Sequence, residues 1–225
     1  TRPEDSTLEA RIRSYELAAR MQVSIPETID FSGEPEETKQ LYGLDSPSTS
    51  FFGKNCLLAR RLLERGVRFV QVYHGGLIDN DANWDAHKDI YKNHPKQAES
   101  MDKPLAGLLK DLKHRGMLED TLIVWTTEFG RMPITQGVGE RGRDHNPHAF
   151  TCWLAGAGLK PGFGYGSSDE VGYQVGENPV TIYDFHATIL HLLGLDHKRL
   201  TYYHDGIQRR LTDVHGHVVQ GVLKS

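Results

Sequence analysis

Carboxylate and imidazole side chains occur together in the loop from Asp79 to His87, where Asp85 and His87 flank a single alanine. Oxygen and nitrogen donors of this kind bind divalent transition metals, and both side chains could reach one ion. The same residues would also fit a solvated polar loop whose aspartates cap the next helix. The loop therefore predicts either part of a metal site or a helix cap.

Glu128 directly follows the apolar run TLIVWTT of residues 121–127. A carboxylate placed just beyond a buried strand costs free energy unless it is paired or coordinated. Glu128 is therefore predicted either to bind a metal ion or to form an ion pair with Arg131. This stretch alone leaves both interpretations open.

The loop Gly139–Pro147, with the sequence GERGRDHNP, combines anion-binding and metal-binding residue types. The guanidinium groups of Arg141 and Arg143 suit bidentate contact with a phosphate or sulfate. Asp144 and His145 suit a metal bound through oxygen and nitrogen. Arg143 is expected to bind the anion because it adjoins this pair; the alternative is that both arginines are solvated surface charges.

All these residues lie next to segments that are predicted to be buried strands, which is where open α/β sheets bind their ligands. Runs of β-branched and aromatic residues predict strands that are neighbours in one sheet, at 67–73, 121–127 and 150–155. Apolar periodicity and terminal glycines predict helices at 6–21, 52–64, 95–115 and 182–193. Helices that alternate with apolar strands predict an α/β fold with a layered sheet.

The chain is expected to consist of an N-terminal helix with an irregular arm, residues 1–50, followed by the α/β domain, residues 51–225. The arm is predicted to contain one short helix that ends before Gly43, and the C-terminal tail is predicted to form a hairpin that turns near Gly216. The chain begins with Thr1 rather than methionine, so it is expected to be a fragment or a processed chain.

Composition excludes some classes of function. The formal net charge is -4 and no block of like charge stands out, so a nucleic-acid partner is not expected. No apolar run approaches the roughly 20 residues that a membrane span needs. Cys56 and Cys152 lie in apolar runs and are expected to be core residues rather than a disulfide.

Several longer motifs resemble the domain of unknown function 1501 family, in the C-terminal half of its members. They cover nearly the whole chain: ARIRSYELAARM, KNCLLARRLLERGVRFVQVYHGG, NWDAH, LLKDLKHRGMLEDTLIVWTTEFGRMP, GRDHNPHAF and DFHATILHLLGLDH. That family is similar to the alkaline phosphatase and sulfatase clan, whose members hold one or two divalent metals at the ends of a mixed sheet between helices. The resemblance implies an alkaline-phosphatase-like layered sheet between helices, incomplete here because the family's N-terminal half has no counterpart in this chain.

The resemblance also implies a ligand set and a cellular location. The residues that match the clan's metal ligands are Asp85 and His87 for one group, Glu128 for an Asp-His pair, and His145 with Asp144 for a further position. Phe129 stands where the clan usually has histidine, which implies a single ion or an altered site, and Asp184 would be structural. The catalytic nucleophile would belong to the N-terminal half, so none is assigned in this chain. Members are often made with an export signal, which implies a periplasmic or extracellular location.

The favoured hypothesis is a metal-dependent hydrolase of phosphate or sulfate esters, acting on a small-molecule or polysaccharide anionic ester with zinc, manganese or calcium as the ion. Arg131, Arg141 or Arg143 would bind the anion. One alternative is a binding module that keeps the metal or anion pocket without turnover. The other is a structural network of Asp85, Glu128 and Arg131 without any metal. The number of subunits does not follow from the sequence.

Overall fold

The computed structural model describes residues 3–75 and 84–224. The chain divides into two compact units, the first comprising Thr1–Gly75 with Gln97–Asp111 and the second comprising Gly76–Lys96 with Leu112–Ser225. Both helices and strands are present, which confirms the α/β class in its general sense. The predicted boundary at residue 50 stays a prediction.

The first unit is helical. Its helices are α1 (Pro3–Ile29), α2 (Glu36–Leu41), α3 (Pro47–Glu64) and the central residues 97–111 of α4 (Ile90–His114). The short helix predicted in the arm is confirmed by α2, which ends before Gly43 as expected. The predicted end of α3 is also confirmed, because Gly66 adopts a φ of +82° and closes the helix in the left-handed region.

The core of the first unit forms around α3. Phe52, Cys56 and Leu57 are buried on this helix, and Tyr42 is buried beside α2. Burial raises the pKa of the Cys56 thiol to about 12, so this cysteine is an un-ionised core residue as the sequence predicts. Gly107 of α4 packs directly against the carbonyl of Leu41, a contact that a larger residue would prevent.

The prediction of a buried strand at residues 67–73 is wrong. This segment has no strand assignment, and Phe69 and Tyr73 are 77% and 76% exposed. A strand needs a neighbour to accept its backbone hydrogen bonds, and within the described ranges this segment pairs with no other strand. Its β-branched composition is therefore not sufficient to form a strand.

The second unit contains the other two predicted strands as a confirmed neighbouring pair. Strands β1 (Leu122–Trp125) and β4 (Trp153–Gly156) pair antiparallel, with Val124 opposite Leu154. Trp125 lies opposite Trp153, and their rings stack with centroids 6.4 Å apart. Both strands are half-buried rather than fully enclosed, since the described part of the chain supplies each with one partner strand only.

The remaining strands of the second unit form further two-stranded antiparallel pairs. These are β2 (Gly130–Arg131) with β3 (His145–Asn146), β5 (Ser167–Ser168) with β6 (Val175–Glu177), and β7 (Thr201–His204) with β8 (Ile207–Arg210). The predicted C-terminal hairpin exists as β7 and β8, but the predicted turn near Gly216 is wrong. The chain turns at Asp205 and Gly206, which both adopt the positive φ that a tight hairpin turn requires.

Helix α5 (Ile182–Leu192) confirms the last predicted helix. Thr181 and Asp184 form a reciprocal capping box at its start, and Gly194 closes its end with a φ of +75°. Asp184 also accepts a hydrogen bond of 2.8 Å from the His217 amide. Burial alone would raise the pKa of Asp184, but the bonds from Thr181 and His217 lower it overall, so this carboxylate is held ionised.

No helix in the described ranges is both long enough and apolar enough to cross a membrane.

Candidate metal centre

Three of the predicted metal ligands, Asp85, His87 and His145, meet at one point in the second unit and are called the triad below. Asp85 Oδ1 lies 2.9 Å from His87 Nε2 and 3.0 Å from His145 Nε2. The two Nε2 atoms lie 3.0 Å apart. Three donor atoms within contact distance of one another can bind a single ion, so the donor set and its geometry fit a divalent metal.

The backbone brings the two halves of the triad together. The segment that leads into α4 carries Asp85 and His87, and strand β3 carries His145. The Arg143 amide donates a hydrogen bond of 3.0 Å to the Ala86 carbonyl, and the Arg141 amide donates one of 3.0 Å to the Lys88 carbonyl. These bonds join the loop before β3 to the loop before α4, and they hold the ligands in register.

Gly142 is the functional residue that the sequence argument missed. It lies between the two joined amides, and its Cα packs so closely on the His87 carbonyl that a Cβ would overlap that group. Only glycine permits this approach of two backbone segments. The signal in the sequence was a glycine between two arginines, next to predicted ligands.

Arg131 is the cation beside the triad. It lies opposite His145 in the β2–β3 register, and its Nη2 donates to Asp85 Oδ1 at 2.5 Å. Its Nη1 donates to the Arg143 carbonyl at 3.2 Å. The bond from Arg131, helped by His145 and by the charges nearby, lowers the pKa of Asp85 to about 2 although partial burial opposes the shift. Asp85 is therefore a carboxylate, the form that binds metal, at any working pH.

The two histidine rings are positioned in different ways. The ring of Phe129 stacks on His145 with centroids 3.9 Å apart, and Asp144 Oδ1 accepts the His145 amide at 2.8 Å. His87 Nδ1 is buried without a hydrogen-bond partner among the described residues, and the His87 ring contacts the His145 ring with centroids 4.8 Å apart. Asp85 and His145 expose 52% and 43% of their side chains, which leaves one side of the triad open to solvent.

The structure does not bring the other predicted site residues into the triad. Glu128 is exposed and accepts a hydrogen bond from the Thr127 hydroxyl at 3.1 Å. The Asp144 carboxylate accepts the hydrogen bond from the His145 amide. Arg131 pairs with Asp85 instead of Glu128, so the ion pair considered from the sequence forms with a different carboxylate.

Arg141 and Arg143, in the loop before β3, form their contacts with residues outside the triad. Arg141 pairs with Asp89 at 2.6 Å. Arg143 donates to the Gly142 carbonyl at 2.8 Å and lies over the ring of Tyr91, 6.0 Å from its centroid. The residues Asp79 and Asp81 of the first predicted loop lie outside the described residues.

A family model described as protein of unknown function, DUF1501, matches residues 1–223. No curated protein and no solved structure matches the chain.

Proposed function

The chain belongs to the DUF1501 family of proteins of unknown function, and from the chemistry of its triad we propose that it is a metal-dependent hydrolase of phosphate or sulfate esters. The observation that carries the proposal is the convergence of one carboxylate oxygen and two imidazole nitrogens from segments 58 and 60 residues apart. Exposed carboxylates commonly occur without an ion, but two histidines directed at the same oxygen as an arginine form a more specific arrangement.

In this proposal Asp85, His87 and His145 hold the ion. A metal bound there would act as a Lewis acid on the ester group and would acidify a bound water. Asp85 supplies a negative charge that offsets the charge of the ion. The stack of Phe129 on His145 would help to hold the His145 ring in place as a ligand.

Arg131 is proposed to bind the anionic group of the substrate. All three arginines are bonded, but Arg131 is bonded to Asp85 of the triad itself, whereas Arg141 is bonded to Asp89 and Arg143 to its own loop. A planar guanidinium can contact two oxygens of a phosphate or sulfate, and near a metal it would stabilise the charge that develops on the ester. The open side of the triad gives a small-molecule or polysaccharide ester access from solvent.

We further propose, from the resemblance of the motifs to the alkaline phosphatase and sulfatase clan, that the second unit is part of a layered sheet between helices and that the protein is exported. The β1–β4 pair would then belong to that sheet. A crystal structure of the protein would test the layered sheet, and fractionation of the producing cell would test the export.

Metal binding is the first test. Calorimetry with zinc and with manganese should show one ion bound by the wild-type protein and by His204→Ala, an exposed histidine in the β7–β8 hairpin. His145→Ala should weaken binding by on the order of 100-fold or more, because a lost imidazole ligand is not replaced. Elemental analysis that finds no metal in the wild type after incubation with zinc, manganese and calcium would contradict the proposal.

The metal-loaded protein should then hydrolyse p-nitrophenyl phosphate or p-nitrophenyl sulfate, and lose this activity in His145→Ala. If metal binds but neither ester is cleaved, the hydrolase is excluded for these esters and the binding module is favoured.

Anion binding gives a separate prediction for the arginines. Arg131→Lys should weaken vanadate or phosphate binding by about 10- to 150-fold, which corresponds to the 1.5 to 3 kcal/mol of a charge-assisted hydrogen bond. Arg141→Lys should change it little because this side chain is 69% exposed and paired with Asp89. Arg143→Lys is the third variant to be measured, because the sequence analysis favours Arg143 as the residue that binds the anion. Equal anion affinity in wild type and Arg131→Lys would exclude Arg131 as the anion-binding residue.

A further inference from the structure

We infer that Asn146 is a positioning residue for the metal centre, because its side-chain amide ties strand β3, which carries His145, to the turn at 169–174 between β5 and β6. The inference rests on the proposed metal site and assigns to it a residue that is not itself a ligand. Asn146 acts through His145 by fixing the backbone from which this ligand projects.

His145 and Asn146 lie on opposite faces of β3. Successive side chains of a strand alternate between its two faces, and the exposures agree, since the His145 side chain is 43% exposed whereas Asn146 is 1% exposed. Strand β3 is two residues long and, among the described residues, pairs with β2 alone. An isolated pair of strands is only marginally stable, so contacts on the buried face are needed to fix the position of β3.

The Asn146 side chain supplies these contacts through hydrogen bonds to two backbone segments. Its Nδ2 donates to the Gly172 and Tyr173 carbonyls at 3.2 and 3.0 Å. Its Oδ1 accepts from the His148 and Ala149 amides at 2.9 and 3.3 Å. A side-chain amide offers donors and an acceptor together. Because Asn146 is buried, water does not readily replace these bonds, and a group left without its partner costs free energy.

The turn that Asn146 reaches is closed by Asp169. Asp169 Oδ1 accepts from the Tyr173 amide at 2.8 Å, and its Oδ2 accepts from the Gln174 amide at 3.2 Å. The Gly172 amide donates to the Asp169 carbonyl at 3.1 Å, and Gly172 has a φ of +74°, in the left-handed region that favours glycine. The bond from the Tyr173 amide, with those from Gln174 and Gly172, holds the pKa of Asp169 below its usual value. The turn therefore presents two ordered carbonyls to Asn146.

His145 thus has one support on its ring and another on its backbone. Phe129 stacks on the ring with centroids 3.9 Å apart, and Asn146 anchors the adjacent residue of β3. Loss of the anchor would let β3 shift against the loop that carries Asp85 and His87. Residues that hold metal ligands in place commonly change metal affinity by about 10- to 100-fold when they are replaced.

The nuclear magnetic resonance signal of the His145 ring tests this positioning on the metal-free protein. Because the ring lies against the face of Phe129, its proton signal should be shifted upfield, and His145→Ala identifies the signal by removing it. Asn146→Ala should move the signal toward its position in Phe129→Leu, since a displaced strand separates the two rings. Asn146→Asp should do the same, because its carboxylate still accepts the His148 and Ala149 amides but cannot donate to the turn.

Manganese affinity, measured by calorimetry, connects this position with the metal. Asn146→Ala and Asn146→Asp should each bind manganese about 10- to 100-fold more weakly than the wild type. The matched control is Thr212→Val, which removes the hydrogen bond of 2.8 Å between Thr212 and His197, two other buried side chains of the second unit. This variant also loses a buried hydrogen bond, but it should keep the His145 signal and the wild-type manganese affinity.

Four results would overturn the inference in proteins that circular dichroism shows to be folded. The first is an unmoved His145 signal in Asn146→Ala. The second is an Asn146→Asp variant that matches the wild type, because the tie to the turn would then be dispensable. The third is a moved signal with wild-type manganese affinity. The fourth is an equal change in Thr212→Val, which would show that any loss of stability has the same effect.

Failure of the metal site is distinguishable from failure of the positioning. Absence of manganese binding by the wild type would overturn the proposed metal site and with it the role of Asn146, whereas the His145 signal is measured without metal. If both Asn146 variants fail to fold, Asp169→Ala replaces them, since it opens the turn without altering β3. It should move the signal and weaken manganese binding in the same direction, and an unchanged signal and affinity would overturn the inference.

Discussion

Replacing Gly142 with alanine is expected to weaken metal binding strongly by separating the two loops that carry the triad. The new Cβ would overlap the His87 carbonyl and would lie 2.5 Å from the Ala86 carbonyl oxygen. These are backbone atoms, which cannot rotate away as a flexible side chain could. The loop must therefore shift, and the hydrogen bond from the Arg143 amide to Ala86 would be lost. Calorimetry with manganese should show affinity reduced by about 10- to 100-fold, the range for residues that position metal ligands.

The matched control for this variant is Gly164→Ala in the same unit. A Cβ at Gly164 meets nothing within 4 Å, and its backbone is not in the left-handed region. This variant should keep the wild-type metal affinity. Gly142→Ala should also lower the free energy of unfolding by roughly 1 to 3 kcal/mol, the range for overpacking. Unchanged metal affinity in Gly142→Ala would show that the loops can part without losing the site.

Arg60→Ala is expected to cause the largest loss of stability in the first unit. The Arg60 side chain is 3% exposed and lies among Glu34, Glu64 and Asp111. Its Nη2 and Nη1 donate to Glu34 and Glu64 at 2.6 and 2.7 Å, and its Nε lies 3.1 Å from Asp111 without hydrogen-bond alignment. Removing the cation leaves these carboxylates without their central partner. Breaking a buried ion pair costs roughly 3 to 5 kcal/mol.

Chemical denaturation followed by circular dichroism measures this loss. The control is Arg13→Ala, whose side chain is 79% exposed and lies 3.8 Å from Glu9. A surface pair of this kind contributes about 0 to 1 kcal/mol. The two variants remove the same charge, so a larger effect at Arg60 isolates the consequence of burial. Equal stability of the two variants would mean that the Arg60 network does not stabilise the unit.

Tyr42 connects this network to the core. Its hydroxyl donates to Asp111 at 2.9 Å, and burial, together with the negative charge of Asp111, raises the pKa of Tyr42 well above its usual value. The phenol therefore remains a hydrogen-bond donor throughout the pH range in which the protein is folded. Tyr42→Phe should cost less than Arg60→Ala because it removes one hydrogen bond and leaves the cation in place.

Features that depend on neighbouring residues along the chain could be predicted from the sequence. Gly66 and Gly194 close α3 and α5 where expected, because a helix end is decided within a few residues. The β1 and β4 segments were predicted for a similar reason, since their apolar runs suit a buried surface. The turn at Asp205 and Gly206 was missed, although an Asp-Gly pair between two strands is a strong hairpin signal.

The residue types of the triad were also predicted from the sequence, but their grouping was not. Carboxylate and imidazole in loops indicated a metal, and five candidates followed from that chemistry. Only the fold separates Asp85, His87 and His145, which meet, from Glu128 and Asp144, which do not join them. Glu128 and Asp85 are both acidic loop residues, and nothing in their local sequence decides which of them Arg131 will bind.

The tertiary structure decided whether residues 67–73 form a strand and which candidate ligands meet, because both depend on contacts between residues far apart in the chain. The segment at 67–73 has strand composition, but strand formation requires a partner that local sequence does not supply. The triad likewise joins residues 58 to 60 positions apart, and their approach is set by backbone hydrogen bonds and by the absence of a side chain at Gly142. The sequence alone determined which atoms could bind a metal, whereas the packing of two loops determined which of them lie together.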